Sequence, residues 1–345
     1  MTHKKVKIEK LNPALFEKWD AYVNNHPDGS FFHLCGWQKV IEQVYGHETI
    51  YLLARENDQI IGILPLGYIR SRLFGNALIS NPFCVYGGVI ANNNEIRLQL
   101  ESVAEKEAID RKVDYLELRN REVVNVNWPA KELYVTFRKQ LDPDPEVNFL
   151  AIPRKQRAMI RKGIKEGLVS EIHDDIDTFF NIYSTSVRNH GTPVFPKYYF
   201  TSLKNIFGNQ CELRVISKSD KPISAVMSFY FRDQVLPYYG GGLLEARKYK
   251  AFDFMYWDLM KTVCQQDIHI FDYGRSKLGT GSYSFKKNWG FEPTPLPYQI
   301  RLIRAKNLPE INPLNKKYQF FIKAWRHLPL PIANTIGPWL ARSLG

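Results

Sequence analysis

Apolar positions recur at helical spacing across residues 13–26 and again across 36–45, which predicts two amphipathic helices near the start of the chain. Residues 49–55 and 60–66 are dense in Ile, Leu and Tyr and are separated by the polar Glu56, Asn57, Asp58 and Gln59, the pattern of a β-hairpin. A strand at 85–89 carrying Tyr86, Gly87 and Gly88, a long helix at about 94–111 and a short strand at 115–119 follow. The second half repeats this order. It has a hairpin from 211–217 and 223–231 around a turn at 218–221, with Asp220 in the place of Asp58. An aromatic and glycine strand at 238–243, a helix at about 246–265 and a strand at 271–275 then complete the second copy. A repeat of about 150 residues is too long for a solenoid and predicts two copies of one α/β (α+β) domain, each a mixed twisted sheet flanked by helices. With Asp142, Pro143, Asp144 and Pro145 as the connection, the expected division is 1–145, 146–305 and a basic tail at 306–345.

Composition changes this picture in two ways. Hydrophobic residues make up 44% of the 345 positions and aromatics 14%, which supplies two buried cores and excludes wholesale disorder. The net charge of +12 points to a polyanionic partner, and it is concentrated: residues 301–345 hold eight basic residues against Glu310 alone. A second basic block over 154–165 reads as an amphipathic helix, with Arg154, Arg157 and Arg161 opposite Met159, Ile160 and Ile164. Residues 316–326 predict a basic helix that turns Phe320, Phe321, Ala324 and Trp325 to one face, suited either to an anionic lipid surface or to packing back onto the domain. Cys35, Cys84, Cys211 and Cys264 are scattered, which argues against a disulfide framework or structural zinc and points to a reducing compartment. No apolar leader core and no apolar run long enough to span a bilayer is present, so the expected location is cytoplasmic, with the tail as a peripheral contact at the inner membrane face.

Several chemistries have no motif to stand on. The chain lacks a phosphate loop, a dinucleotide fingerprint, a nucleophile elbow and a zinc-protease helix. His190 reads either as a loop acid/base or as a surface histidine ending a helix. The densest chemistry lies in 271–291, where Asp272, Tyr273, Arg275 and Ser276 precede a Gly/Ser/Thr loop, and Tyr283, Phe285 and Lys286 follow it, a composition that suits a pocket wall. Gly240 and Gly241, next to Tyr238 and Tyr239, allow a strand to splay and expose N–H groups to a bound carbonyl oxygen, as an oxyanion cradle for acyl transfer requires. Tyr238, Tyr239, Tyr273 and Tyr283 offer faces for a sugar or a nucleobase.

Together with the run Ser30, Phe31, Phe32, His33 and Trp37, the stretch Ile61 to Pro65, Pro82 with Phe83, and the 271–276 and 283–286 segments, these residues resemble the FemAB-type family, a tandem pair of GNAT domains. More narrowly the chain is similar to FemAB-related proteins of bacterial exosortase and PEP-CTERM exopolysaccharide systems, including its closing stretch from Trp325 to Leu344. The resemblance implies N-acyl transfer from an activated carbonyl to an amine on a nucleotide- or lipid-linked cell-envelope or exopolysaccharide precursor. Lys286, in the matching Phe-Lys pair, becomes the cation at the acyl-transfer centre, with Tyr239 and Asp272 as candidate bases. Arg154, Arg157 and Arg161 are expected to hold phosphates, while Tyr238, Arg275, Ser276, Tyr283 and Phe285 bind substrate and Gly240 and Gly241 the donor. No metal and no tightly bound cofactor are expected; the acyl donor is a co-substrate. Ordinary GNAT enzymes cradle the coenzyme A pyrophosphate on a glycine-containing turn, yet here the matching position runs Arg247, Lys248, Tyr249, Lys250, Ala251, Phe252, which favours charged tRNA over acetyl-CoA. The alternatives are an acetyl-CoA-dependent acetyltransferase on a sugar amine, a non-catalytic scaffold of a membrane-associated polysaccharide system, and an RNA-binding module. Convergence of Lys286, Arg275 and Tyr239 on one cleft would favour the enzyme over the scaffold.

Overall fold

A computed structural model describes residues 6–71, 75–309 and 316–343, which divide into two compact units. The first holds the strands β1 (Lys7–Lys10), β2 (Glu48–Glu56), β3 (Gln59–Ser71), β4 (Gly75–Ser80), β5 (Ile90–Ala91), β6 (Tyr115–Leu118) and β7 (Ala130–Lys131), with helices α1 (Phe16–Asn25), α2 (Gly36–Tyr45) and α3 (Asn94–Asp110). The β2–β3 hairpin closes through Asn57, whose φ of +54° is the left-handed conformation that asparagine tolerates in a two-residue turn. Asn93 starts α3 by accepting from the Ile96 N–H at 3.0 Å, and the helix lays Ile96, Leu100 and Ala104 on Leu52, Leu64, Leu66, Leu78 and Leu116 of the sheet.

The expected strand at 85–89 is a correction: only Ile90–Ala91 pairs with β3, and the glycines before it run as irregular backbone. A Cβ on Gly88 would lie 1.9 Å from Asn120 Oδ1, so the segment is pressed against that residue. Its N–H groups go to the Arg119 carbonyl (3.1 Å, from Gly88) and to Asn120 Oδ1 (3.1 Å, from Val89) instead of to a ladder.

The second unit begins at Val135, within β8 (Tyr134–Gln140). There follow α4 (Pro145–Ala151), α5 (Arg154–Lys165), β9 (Leu168–His173), α6 (Ile176–His190), α7 (Lys197–Phe207), β10 (Cys211–Lys218), β11 (Lys221–Phe231) and β12 (Gln234–Gly242). Then come α8 (Leu244–Tyr249), α9 (Ala251–Val263), β13 (Ile270–Lys277), α10 (Gly281–Asn288) and β14 (Pro293–Pro295). The strands form one seven-stranded sheet in the order β14-β8-β13-β12-β11-β10-β9. Ser219 and Asp220, with φ of +47° and +62°, close the β10–β11 hairpin as the first hairpin is closed by Asn57. The expected single helix over 246–265 is two, because Lys250 takes φ +61° and breaks the run between α8 and α9.

The chain then returns. β15 (Tyr298–Leu302) joins the first sheet antiparallel to β6, and α11 (Lys316–Arg326) and α12 (Leu330–Ala341) belong to the second unit. The expected limits at 145 and 305 are therefore displaced: the first sheet takes back 298–302, the second sheet begins before the Asp-Pro stretch, and Pro145 opens α4 behind its cap Asp144. The tail helices pack on α6. Ile322 lies against Gly191, Trp325 is buried, and the Arg188 guanidinium donates to the Arg326 and Leu328 carbonyls at 3.3 Å. Ala333, Gly337 and Ala341 turn the buried stripe of α12 inward; on α11 Trp325 is buried while Phe320 and Phe321, offered by the sequence either to a lipid surface or to packing, are exposed.

Candidate active site

Parallel strands of one sheet ordinarily stay paired, but β12 and β13 share only the registers Gln234↔Ile270 and Val235↔Phe271 before they part. The gap opens a cavity of about 1000 Å3 within the second unit. Gly240 and Tyr273 line it from the two separated strands, Phe252 and Tyr256 from α9, and Ser186 and His190 from α6. The loop and first turn of α10 contribute Gly279 to Ser282 with Phe285 and Lys286, and α11 contributes Gln319, Ile322, Lys323 and Arg326. Gly240 is tight against α9: a Cβ there would stand 2.6 Å from the Tyr256 hydroxyl.

Lys286 is held by backbone alone. Its Nζ donates to the carbonyls of Tyr273 (2.7 Å), Gly274 (3.1 Å) and Arg275 (3.1 Å). Three successive carbonyls of a strand face one point only where the pleat is interrupted, and Gly274 at φ +62° interrupts it, its own N–H bonding Asp272 Oδ1 at 2.7 Å. Burial pushes the Lys286 amine down to about 7, partly offset by the Asp272 carboxylate and reinforced by the Arg275 cation. The amine also lies 5.6 Å from the Phe137 ring centroid, on the core side of the sheet.

The other expected site residues divide. Phe285 and Gly240 line the cavity with Lys286. Asp272 is buried and bound in an ion pair to Arg138 at 3.1 Å, so it shapes the β13 turn and does not line the cavity. Tyr239 is also off the lining: its hydroxyl bonds that of Tyr199 at 2.7 Å inside a cluster of aromatic rings, and burial holds it well above the usual phenol range. Tyr238 stacks edge-on to Tyr239, and Gly241 backs onto α6, where a Cβ would lie 2.9 Å from Tyr183 Cα. Tyr283 packs on Phe137, Ser276 is buried, and Arg275 reaches Lys286 through its carbonyl and does not line the cavity. Arg154, Arg157 and Arg161 lie on α5, which packs on α9 through the Gln156 to Asp253 bond at 2.9 Å; Arg161 covers the Phe149 ring. None of the three arginines lines the cavity, and the convergence of Lys286 with Arg275 and Tyr239 that would favour the enzyme over the scaffold is not found there.

His190, read from the sequence either as a loop acid/base or as a helix-ending histidine, and residues that reading did not name complete the lining. His190 ends α6 at the cavity mouth, its Nδ1 bonded to the Ser186 carbonyl at 2.7 Å. Thr280 caps α10 by accepting from the Tyr283 N–H, and the cations Lys323 and Arg326 come from the tail. Gly279, Thr280 and Gly281 were visible in sequence as a glycine loop, but nothing local in the tail joined Lys323 to that loop.

Residues 154–287 match the acetyltransferase (GNAT) domain family. That match lies within the second unit. Its backbone superposes on a crystal structure of FemX with a TM-score of 0.69 at 13% identity, covering 86% of this chain and 98% of that one. It is likewise similar to the C-terminal domain of a putative lysylphosphatidylglycerol synthetase from Agrobacterium fabrum, with a TM-score of 0.58 at 12% identity over 85% and 93% of the two chains. A tandem GNAT protein from the clavulanic acid biosynthesis pathway gives 0.56 at 10% identity over 88% and 100%. Two mixed sheets flanked by helices therefore form a tandem-GNAT-like fold. No curated protein sequence matches the chain. Among the described residues no helix is long and apolar enough to cross a membrane, and no group of three or more His, Cys, Asp or Glu residues is placed to hold a metal ion.

Proposed function

We propose that the chain is an N-acyltransferase that moves an activated acyl group, and specifically an aminoacyl group from a charged tRNA, onto an amine of a cell-envelope or exopolysaccharide precursor. The observation that carries this reading is the parted β12 and β13 with Lys286 fixed at their gap and Gly240 on the cavity wall. The acyl carbonyl enters the cavity beside Gly240, and the acceptor amine attacks its carbon. The C–N bond forms, the ester C–O bond breaks, and the amine proton passes to the leaving hydroxyl, so proximity and charge stabilisation supply the catalysis. Lys286 gives up one of its 3.1 Å carbonyl bonds to face the developing oxyanion.

The donor assignment is supported by the backbone at 247–252, where a short helix and Lys250 at φ +61° stand in place of a glycine-bearing pyrophosphate turn. The envelope acceptor is supported by the sequence resemblance and by α12. That helix leaves Ile332, Ile336 and Trp339 exposed at helical spacing opposite its buried stripe, an apolar face suited to a lipid surface. The acetyltransferase match over 154–287 favours a second reading, acetyl transfer from acetyl-CoA to a sugar amine.

Single-turnover transfer from charged tRNA and from acetyl-CoA, with an amine-bearing precursor pool as acceptor, separates these readings. Transfer from charged tRNA that falls at least a hundredfold in Lys286→Ala supports the first, and transfer from acetyl-CoA alone replaces it with the second. No transfer from either donor leaves the scaffold reading in its place. Sedimentation with phosphatidylglycerol vesicles that is lost in Trp339→Ser supports the lipid contact, and equal sedimentation of both proteins refutes it.

A further inference from the structure

Among the described residues the cavity lining holds no Asp or Glu, yet it gathers Lys286, Lys323 and Arg326 around a wall of hydroxyls. A described wall that carries the cations Lys323 and Arg326 and no carboxylate is an anion site by composition. Lys286 spends its three N–H donors on carbonyls, which leaves the charge of α11 to meet a ligand.

Two features point to where that ligand's oxygens lie. The amino end of α10 opens into the cavity at Gly279 to Ser282, and Thr280 satisfies only the Tyr283 N–H, so the N–H groups of the first turn and the positive end of the helix dipole face the space. Independently, the Tyr273 hydroxyl is buried on the same cavity with no hydrogen-bond partner among the described residues, and Tyr273 is 5% exposed. An unmade bond at such a depth is costly unless a ligand supplies the acceptor. The apolar part of the wall is aromatic, with Phe252 and Tyr256, and suits the flat face of a base.

We propose that α11 and the amino end of α10 form a clamp for the phosphate of a nucleotide, with Lys323 and Arg326 as the cations and the Tyr273 hydroxyl as a donor to the same ligand. The tail helix is then part of the binding site of the second unit, distinct from its role in any lipid contact. The nucleotide comes either as a free nucleoside phosphate, including one that carries the acceptor, or as the 3′ end of an RNA donor; this rests on the acyl-transfer reading for its purpose but not for its chemistry.

The test is binding, measured by calorimetry on the full chain without any acyl donor. The probes are UDP, AMP, the ribotrinucleotide CCA, and uridine and adenosine as phosphate-free controls. The proteins are the native chain, Lys323→Gln/Arg326→Gln, Tyr273→Phe, and Arg154→Gln as a control outside the cavity. The exposed Lys323 and Arg326 leave the packing of Trp325 and Ile322 intact, and circular dichroism of the double variant checks this. Expected are binding of at least one nucleotide, a loss of at least tenfold in the double variant, a several-fold loss in Tyr273→Phe and none in Arg154→Gln. Tighter binding of CCA than of UDP and AMP assigns the RNA end, and the reverse assigns a free nucleotide. The proposal is overturned if no nucleotide binds, if the nucleosides bind as well as the nucleotides, or if the double variant binds as the native chain does. Nucleotide binding without acyl transfer would remove the proposed function and leave the clamp, whereas transfer with an unaffected double variant would do the opposite.

Discussion

Lys286→Met isolates a buried amine from every other charge in the second unit. Burial lowers this lysine from 10.5 to about 7 in the folded chain, while the unfolded chain keeps the ordinary value. Above about pH 10.5 both states are neutral and the folded state carries no penalty for the amine. As pH falls toward 7 the unfolded chain takes up a proton that the folded chain does not, so stability is lost progressively until the folded amine also titrates at about 7. The whole span is worth up to about 5 kcal/mol, at about 1.4 kcal/mol per pH unit. Methionine keeps the stem and removes the proton site. It also uncaps the Tyr273, Gly274 and Arg275 carbonyls, at a cost of about 1–3 kcal/mol each before cavity water replaces the bonds, but that cost does not change with pH. Urea unfolding of both proteins at pH 7.0, 7.5, 8.0 and 8.5 gives the difference directly. The native chain is expected to gain about 1.5–2 kcal/mol on the methionine variant from the lowest to the highest pH. A difference that stays flat refutes the reasoning, because it would mean that the amine is solvated or fully charged in the folded state.

Asp253 accepts from Gln156 at 2.9 Å and from Trp289 at 3.2 Å on one oxygen, and burial pushes it up to about 6. Its raised value favours the folded chain below the unfolded carboxyl range and withdraws that support as pH rises through 6, so Asp253→Asn, which keeps both bonds, is expected to unfold about 2 kcal/mol later at pH 7.5 and no later at pH 4. Tyr239→Phe removes the 2.7 Å bond to Tyr199 and is expected to lower stability by about 1 kcal/mol while leaving transfer within twofold, since the hydroxyl lies off the cavity; a hundredfold loss of transfer would restore it as a catalytic group. Gly240→Ala places a methyl 2.6 Å from the Tyr256 hydroxyl, and a melting scan alongside the transfer assay should show a small stability change with at least a tenfold loss of transfer.

Local pattern carried the elements well. The two hairpins, the long helix at 94–110, the glycine strand at 238–242 and the 270–277 strand all lie where alternation and turn residues predicted them, because period and turn chemistry act over a few residues. The glycines at 87 and 88 misled for an equally local reason: in sequence they match those at 240 and 241, but Asn120, more than thirty residues away, decides that the first pair is packed and unpaired. The match of Phe285 and Lys286 to a family pattern was visible from the sequence, and so was the glycine loop before α10.

What the chain sequence determined by itself is the duplicated order of helices and strands, the concentration of charge and the segment densest in candidate site residues. Only the tertiary structure decided which residues share the cavity. The separation of β12 from β13 follows from long-range pairing that no window of sequence contains. It selects Lys286, Gly240 and Phe285, sends Tyr239 and Asp272 into the core, and leaves the α5 arginines elsewhere. The same packing brings Lys323 and Arg326, more than forty residues beyond Thr280, into one wall with it, because α11 packs on α6 and so carries both cations to the cavity.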